Sequence, residues 1–336
     1  MLPTLRDRRA RAGAPVPGMS EGALVKVEQL SRDYGSLRAV DKISFEMARG
    51  EVLGFLGPNG AGKSTTMQMI SGNLAPSAGR ILIHGLDILD RPRAAKAHLG
   101  YLPEQPPLYR ELTVDEYLAF CARLNCIPRN RCRDAVETAK ARCGLEAVGR
   151  RLIGNLSKGF QQRVGIAQAI IHTPAVIILD EPTVGLDPIQ IREIRALIHD
   201  LSREHSVILS THILPEVQAI CDRVIIINQG ELVLNDTIAG LQRRMEGNNL
   251  RVAFRQPPGE AELARLPGVV EVESLEPGRF RIHCGGGGDS TDAIVSASVA
   301  NGWQLCELMP ERLSLEQVFI QITQTEAHAD PGEAAA

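Results

Sequence analysis

The sequence predicts an α/β protein with two domains, a larger one built on a mainly parallel sheet and a smaller α+β domain after it. Short apolar runs such as Val176–Leu179 alternate with helical segments up to about Gly240, as in strands joined by crossover helices. After Asn249 apolar residues recur at every second position, and this period indicates half-buried strands. We therefore place the larger domain at residues 21–240 and the smaller one at 241–323.

Composition excludes several classes of protein. The chain has 336 residues, 44% of them hydrophobic and 23% charged, which is ordinary for a folded globular protein. Its formal net charge of -3 gives no general attraction to nucleic acid. Apolar runs such as Val224–Ile227 are far shorter than the roughly 20 residues that a membrane-spanning helix needs. We expect neither a spanning segment nor a nucleic-acid partner.

The cysteines and the two ends of the chain carry no recognisable site. The seven cysteines are odd in number and include no C-x-x-C pair, so they fit neither a disulfide framework nor a zinc site. We expect them to be reduced thiols. Residues 1–20 hold arginines among prolines and glycines, and residues 324–336 lack apolar periodicity. Both segments are predicted to be disordered or mobile tails.

The elements of the larger domain follow from local patterns. Thr113-x-x-Glu116 is a capping box, in which each side chain satisfies a backbone N–H of the other residue, so a helix begins there. The other predicted helices are Arg131–Arg142, which with the preceding one forms a helical insert, Gly159–Ile171 and Pro188–Arg203. The predicted strands are Leu24–Val27, Ile43–Met47, Val52–Leu56, Val176–Leu179 and Ser206–Ser210.

The smaller domain reads as a β-α-β-β-α-β unit with a further helix behind it. This order suits a ferredoxin-like, split-βαβ sandwich. A run of glycines at Gly285–Gly288 is expected to be a flexible connector. The predicted strands are Leu250–Arg255, Val269–Leu275, Arg279–Cys284 and Trp303–Met309, and the predicted helices are Glu260–Leu266, Thr291–Ala300 and Ser314–Ile322.

A phosphate-binding loop follows the strand Val52–Leu56. The segment matches G-x-x-x-x-G-K-[ST] in a strand-loop-helix context, where backbone N–H groups and the helix N-terminus bind an anion. Lys63 is then expected to reach the β- and γ-phosphates and Ser64 to bind Mg²⁺. The residues of the loop are Gly57, Pro58, Asn59, Gly60, Ala61, Gly62, Lys63, Ser64 and Thr65. The match predicts a P-loop NTPase that binds a triphosphate.

Two acidic residues follow the buried strand Val176–Leu179. Asp180 is predicted to hold Mg²⁺, directly or through water. Strand alternation is expected to turn Glu181 another way, so that it can act as the general base toward an attacking water. The alternative, a merely polar strand end, does not account for the phosphate-binding loop before it.

The segment Leu156–Arg163 reads LSKGFQQR and resembles the LSGGQ signature of the ATP-binding cassette (ABC) ATPases. The resemblance extends in motif order from about Leu24 to Gly240 and implies a head-to-tail dimer, a homodimer or a pair with a related subunit, that encloses two ATP molecules. It implies that Ser157 and Gly159 contact the γ-phosphate held by the other subunit. Read alone, Ser157 is equally consistent with a simple helix N-cap.

The same resemblance assigns further residues. It implies that Tyr34 stacks on adenine, that His212 hydrogen-bonds the γ-phosphate and helps to hold the attacking water, and that Asp187 crosses the dimer interface. Each has a structural alternative, for Asp187 the N-cap of the next helix. The glutamine of the family's Q-loop, which touches the metal's water shell, corresponds to Glu104 here, or to Gln105 after a local shift.

Motif spellings such as LDEPTVGLDP and THILPEV look like those of ABC-2 type exporters, especially the gliding-motility-associated (Gld-type) branch. The resemblance implies an ATPase subunit that lies on the cytoplasmic face of the cell membrane and drives a separate integral permease. A soluble cassette ATPase acting on ribosomes or DNA is the main alternative, although such proteins usually carry two cassettes or a long coiled coil. A phosphoryl-transfer kinase leaves Leu156–Arg163 and His212 unexplained.

Overall fold

The computed structural model describes residues 23–285 and 290–312. The chain divides into two compact units, one ending at Ile238 and the other beginning at Ala239. Several sequence-based predictions lie outside the described residues. They are the two tails, the connector beyond Gly285 and the helix Ser314–Ile322.

The first unit contains a six-stranded sheet and a four-stranded sheet. The larger sheet has the order β10-β9-β3-β8-β7-β6, in which only the edge strand β10 runs antiparallel. The smaller sheet, β2-β1-β4-β5, is antiparallel throughout. The strands are β1 (Ala23–Tyr34), β2 (Leu37–Ala48), β3 (Val52–Leu56), β4 (Ala78–Ile83), β5 (Leu86–Asp87), β6 (Leu99–Leu102), β7 (Val176–Asp180), β8 (Ser206–Thr211), β9 (Arg223–Asn228) and β10 (Glu231–Thr237).

The antiparallel sheet is a difference from the single, mainly parallel sheet that the sequence predicts. Tyr34 pairs with Leu37 across a two-residue turn, so β1 and β2 form a hairpin. Parallel neighbours need a crossover of about a dozen residues, which this turn excludes. Apolar side chains from both sheets share one buried cluster, including Phe45 of the hairpin and Phe55 and Ile178 of the parallel sheet.

Helices cover the parallel sheet and form the predicted insert. They are α1 (Lys63–Ile70), α2 (Pro92–Lys96), α3 (Val114–Leu124), α4 (Arg129–Cys143), α5 (Lys158–Ile170), α6 (Pro188–Ser202) and α7 (Leu214–Ile220). The capping box of α3 is present. The Thr113 hydroxyl accepts from the Glu116 N–H at 3.2 Å, and the Glu116 carboxylate accepts from the Thr113 N–H at 2.9 Å. The prediction for this helix start is therefore confirmed.

The second unit is a four-stranded antiparallel sheet with the order β12-β13-β11-β14. Its core includes Phe254, Phe280 and Trp303, with the Trp303 and Phe254 rings edge to face at 5.8 Å. The elements are α8 (Ile238–Met245), β11 (Glu246–Phe254), α9 (Glu260–Leu263), β12 (Val269–Glu276), β13 (Arg279–Cys284), α10 (Ser290–Asn301) and β14 (Leu305–Arg312).

Three smaller observations complete the fold. Helix α9 ends three residues earlier than predicted, because Pro267 disfavours helical backbone at Leu266. All seven cysteines lie within the described residues and are free thiols there. Within residues 23–285 and 290–312, no helix has both the length and the apolar character needed to cross a membrane.

Candidate functional site

The loop between β3 and α1 leaves the N-terminus of α1 open. Its N-cap residue is Gly62, with a φ of 104°, and no side chain of the described residues caps the helix. The first N–H groups of a helix need partners and carry a partial positive charge. This end of α1 is therefore built to accept an anion.

Two glycines of the loop are required by close backbone contacts. A Cβ atom on Gly57 would lie 2.3 Å from the carbonyl oxygen of Ile227, and one on Gly62 would lie 2.6 Å from that of Ala39. Backbone oxygens cannot move aside as a flexible side chain can. The shape of the loop therefore depends on packing against distant parts of the chain as well as on its own sequence.

Lys63 lies under the loop rather than in solvent. Its side chain is 5% exposed, and Nζ donates to the carbonyl oxygens of Gly57 at 2.9 Å and Pro58 at 3.1 Å. The same atom lies 3.5 Å from Oε1 of Glu181. The ammonium group thus joins the phosphate-binding loop to the acidic end of β7.

Asp180 and Ser64 form an oxygen-rich pair beside Lys63. The Ser64 hydroxyl donates to Oδ1 of Asp180 at 3.2 Å, and the Ser210 hydroxyl donates to the same oxygen. Burial raises the pKa of the Asp180 carboxyl, whereas these two hydroxyls and the charge of Lys63 oppose that rise. Carboxylate and hydroxyl oxygens are the ligands that Mg²⁺ prefers, so the donor set fits this ion.

Glu181 points into the site for a reason other than strand alternation, which corrects the sequence-based explanation. Strand β7 ends at Asp180, and Glu181 has a φ of 48°, in the left-handed region. Its backbone N–H donates to both the carbonyl and the hydroxyl oxygen of Ser210, each at 3.1 Å. Non-glycine residues held in this conformation often occur at functional sites.

His212 follows the neighbouring strand β8 and meets Glu181. Its Nδ1 atom lies 3.0 Å from Oε2 of Glu181, and its side chain is 42% exposed. The adjacent Thr211 is fully buried. The imidazole is therefore anchored on one side and open on the other.

These groups share one open cavity of about 390 Å³. Lys63, Ser64, Glu181 and His212 line it, together with Glu104 from the segment after β6. Gln105 is exposed and does not line it. Of the two Q-loop candidates, Glu104 is therefore the one that lies at the cavity.

Four predicted residues lie away from this cavity. Ser157 accepts from the Phe160 N–H at 3.4 Å and caps α5, and Asp187 accepts from two N–H groups at 2.9 Å and caps α6. Gly159 packs against Gln190 of α6. Tyr34 is 45% exposed at the end of the hairpin, with the Arg32 guanidinium 4.7 Å above its ring.

Ser210 contacts both acidic residues but was not predicted to be a site residue. It is the last residue but one of a fully buried strand next to β7, and a hydroxyl at such a position was the available signal. Ala39 was also missed, although it lines the cavity. No local pattern marks it, because a hairpin brings it to the phosphate-binding loop.

Taken together, the strand-loop-helix with an open helix end, its buried lysine and the acidic end of another parallel strand of the same sheet define a P-loop nucleoside triphosphatase. Comparison with known proteins narrows this class. The sequence model of the family described as "ABC transporter" matches residues 40–184.

Two curated relatives match over nearly their whole length. The uncharacterized ABC transporter ATP-binding protein YxlF of Bacillus subtilis (strain 168) is 31% identical over 304 residues, covering 89% of this chain and 99% of the relative. The bacitracin transport ATP-binding protein BcrA of Bacillus licheniformis is 32% identical over 306 residues, covering 89% and 97%. A solved ATP-binding subunit of an ABC transporter superposes with a TM-score of 0.60 at 32% identity, over 66% of this chain and 92% of that one.

The chain belongs to the ABC transporter family, as an ATP-binding subunit. Its first unit has the ABC ATPase fold, as the sequence predicts. Binding of ATP and ATPase activity are properties of this class of subunit.

Proposed function

We propose that this chain is the ATP-hydrolysing subunit of an ABC-2 type exporter, of the gliding-motility-associated branch, and that it drives a separate membrane permease from the cytoplasmic face. Motif spellings support the type and the branch. The names of two relatives support export: BcrA is a bacitracin transport protein, and LnrL of Bacillus subtilis (strain 168), 30% identical over 305 residues, is a linearmycin resistance protein.

The contacts around Lys63 support binding of a triphosphate. Two loop carbonyls hold Nζ at the cavity. Binding of a phosphate therefore costs less side-chain entropy than it would with a freely rotating lysine. The open end of α1 supplies N–H donors to the same phosphates. Ser64 and Asp180 would hold Mg²⁺, and Glu104 would face its water shell. The ion supplies charge neutralisation at the phosphate oxygens when bound.

Glu181 is the proposed general base. Its carboxylate is 7% exposed and is oriented by Lys63 on one oxygen and His212 on the other. A water at the cavity end of this carboxylate would give up its proton to Glu181. His212 would donate a hydrogen bond to the γ-phosphate and keep the water in line for attack.

A second copy, or a related subunit, is proposed to complete each site. Ser157 and Asp187 lie at exposed helix N-termini, outside the cavity of their own subunit. Such N-termini bind anions. In a head-to-tail dimer, Ser157 and Gly159 of the partner subunit would contact the γ-phosphate held at Lys63. Tyr34 is proposed separately, as the residue that stacks on the adenine of ATP.

The permease is proposed to dock beside Glu104. Tyr109 is 48% exposed there and makes edge contacts with Tyr117 at 6.1 Å and Phe120 at 5.6 Å between ring centroids. Tyr117 is buried and Phe120 is half-buried, and an exposed aromatic supported in this way is typical of an anchor for a partner helix. Movement of Glu104, together with the water shell of the metal, would then be transmitted to the permease.

The observation that carries the proposal is the shared cavity of Lys63, Glu181 and His212. The test is Glu181→Gln, which keeps the size of the side chain and removes the base. The variant is expected to lose turnover yet accumulate an ATP-bound dimer, detected by size-exclusion chromatography with light scattering. A variant that stays monomeric when saturated with ATP would contradict the composite site. Failure of the wild-type protein to co-purify with a multi-spanning protein from its own membranes would contradict the exporter.

A further inference from the structure

A buried carboxylate that the proposed mechanism does not use is hydrogen-bonded to Thr211, the residue before His212. Glu216, in the first turn of α7, is 1% exposed. Its Oε2 atom accepts from the Thr211 hydroxyl at 2.9 Å, and the same hydroxyl oxygen accepts from the Ile213 N–H at 3.1 Å. The residues on both sides of His212 are thus bound to one another, and Thr211 is bound to Glu216.

The other oxygen of Glu216 is only partly satisfied. Oε1 is buried and has no hydrogen-bond partner among the described residues, and Nη2 of Arg195 lies 3.6 Å away. Charge-assisted hydrogen bonds are about 2.7–2.9 Å long. A buried carboxylate costs free energy unless it is both paired and hydrogen-bonded. A shift of less than about 1 Å between α6 and α7 would complete the pair.

Through Arg195, the Arg195–Glu216 pair is connected to the proposed dimer interface. It lies on α6, the helix that Asp187 caps, and its Nε atom is likewise buried without a hydrogen-bond partner. Helix α7 in turn packs on the strand before the phosphate-binding loop, because a Cβ on Gly54 would lie 2.9 Å from Val217 and Cys221 side-chain atoms. A displacement of α6 relative to this support would change the Arg195–Glu216 distance.

We propose that Glu216 and Arg195 are positioning residues that hold His212 in place and couple it to helix α6, so that contact of Asp187 with the partner subunit orients the imidazole for hydrolysis. This inference rests on the proposed role of His212. Glu216 touches neither substrate nor cavity; it acts through Thr211 and the backbone of the His212 loop.

The central test is Glu216→Gln, which keeps an oxygen for Thr211 and removes the charge that Arg195 faces. We expect kcat to fall by about tenfold, or 1.4 kcal/mol, with the KM for ATP changed less than about twofold. Arg195→Gln is expected to have the same effect, and the double variant no more than either alone, because the two residues act as one unit. Arg195→Lys should restore part of the turnover.

A background without His212 separates positioning from mere structural support. In His212→Ala, measured by single turnovers over hours, adding Glu216→Gln should change the rate less than about twofold. An equal loss in both backgrounds would overturn the inference. Arg192→Gln, the same charge change on the exposed face of α6, should leave kcat unchanged.

The outcomes also distinguish this inference from the proposed function. If His212→Ala keeps full turnover, the role of His212 is wrong. If His212→Ala is inactive while Glu216→Gln and Arg195→Gln turn over like the wild type, only the coupling is wrong. Should Glu216→Gln fail to fold, Arg195→Gln carries the same test, because the Arg195 side chain is 27% exposed whereas that of Glu216 is 1% exposed.

Discussion

The Nδ1 atom of His212 lies 3.0 Å from Oε2 of Glu181, across the ends of the neighbouring parallel strands β8 and β7. The other oxygen of the same carboxylate lies 3.5 Å from Nζ of Lys63. Glu181 is therefore held between two nitrogen groups that come from separate parts of the chain. Because each contact is specific to one oxygen, the orientation of the carboxylate is defined.

Removing His212 should affect hydrolysis far more than binding. We expect His212→Ala to lower kcat by about 100-fold or more, the usual contribution of a group that positions or transfers a proton. The dissociation constant for ATP should change less than about threefold, since the phosphate-binding loop is intact. Steady-state turnover and equilibrium binding measure the two effects. His199→Ala, 65% exposed at the end of α6, is the control; equal losses in both variants would argue against a specific role.

Lys63→Ala should weaken nucleotide binding itself. Hydrogen bonds to charged groups contribute about 1.5–3 kcal/mol, so the dissociation constant of a fluorescent ATP analogue should rise roughly 10- to 150-fold. Lys96→Ala removes an exposed lysine of the same charge and should have no effect on binding. Unchanged affinity in Lys63→Ala would show that the buried ammonium serves only to brace the loop.

The close contact at Gly57 predicts that even one methyl group is not tolerated. Gly57→Ala would place Cβ 2.3 Å from a backbone oxygen, and overpacking of this kind typically costs about 1–3 kcal/mol. We expect a lower urea midpoint together with lost ATP binding. Gly259→Ala is the control, because a Cβ added there would meet no atom within 4 Å outside the adjacent residues and the φ of Gly259 is -71°. Similar urea midpoints for the two variants would contradict the expected clash between the added methyl group and the Ile227 carbonyl oxygen.

The capping box gives a prediction about stability alone. Thr113→Ala removes the acceptor for the Glu116 N–H and should lower the free energy of unfolding by about 1 kcal/mol. The change is measured by urea unfolding of the first unit's transition. Turnover per folded molecule should stay normal, because Thr113 does not line the cavity. A variant as stable as the wild type would mean that Glu116 or solvent replaces the lost bond.

His172 predicts a loss of stability in mild acid. Burial lowers the pKa of this imidazole below its usual value of 6.5, and His205 lowers it further, although the Leu99 carbonyl opposes the shift. Below that usual value the unfolded chain binds a proton that the folded chain does not. The free energy of unfolding should therefore be highest above pH 6.5 and fall as the pH drops toward the folded pKa, by at most about 1.4 kcal/mol per pH unit from this group.

The substitution His172→Gln isolates this contribution. The amide can still donate to the Leu99 carbonyl, which accepts from Nε2 at 3.0 Å, but it does not titrate. The free energy of unfolding is measured for both proteins from about pH 8 to about pH 5. The wild-type value minus the variant's value should decrease as the pH is lowered below about 6.5. A difference independent of pH would mean that His172 keeps its ordinary pKa.

Much of the ATPase unit was predictable because its signals are local. The phosphate-binding loop, the acidic end of β7 and the capping box each occupy a few consecutive residues that follow a recognisable pattern. The hydrogen bonds of the capping box and of Lys63 also form within those residues. The sequence left open whether Glu104 or Gln105 lies at the cavity. The two residues are adjacent on one segment, and only the packing of that segment decides between them.

The sequence by itself determined the alternation of buried strands and helices around the phosphate-binding loop and β7, the anion-binding end of α1 and the residue types available for ATP chemistry, because backbone preference, capping and apolar period act over short distances. Only the tertiary structure decided that β1 and β2 form a separate antiparallel sheet, that a positive φ turns Glu181 toward Lys63 and His212, and that Glu216 is buried 3.6 Å from Arg195. These features depend on which distant segments become neighbours, and the free energy of packing the whole unit determines that.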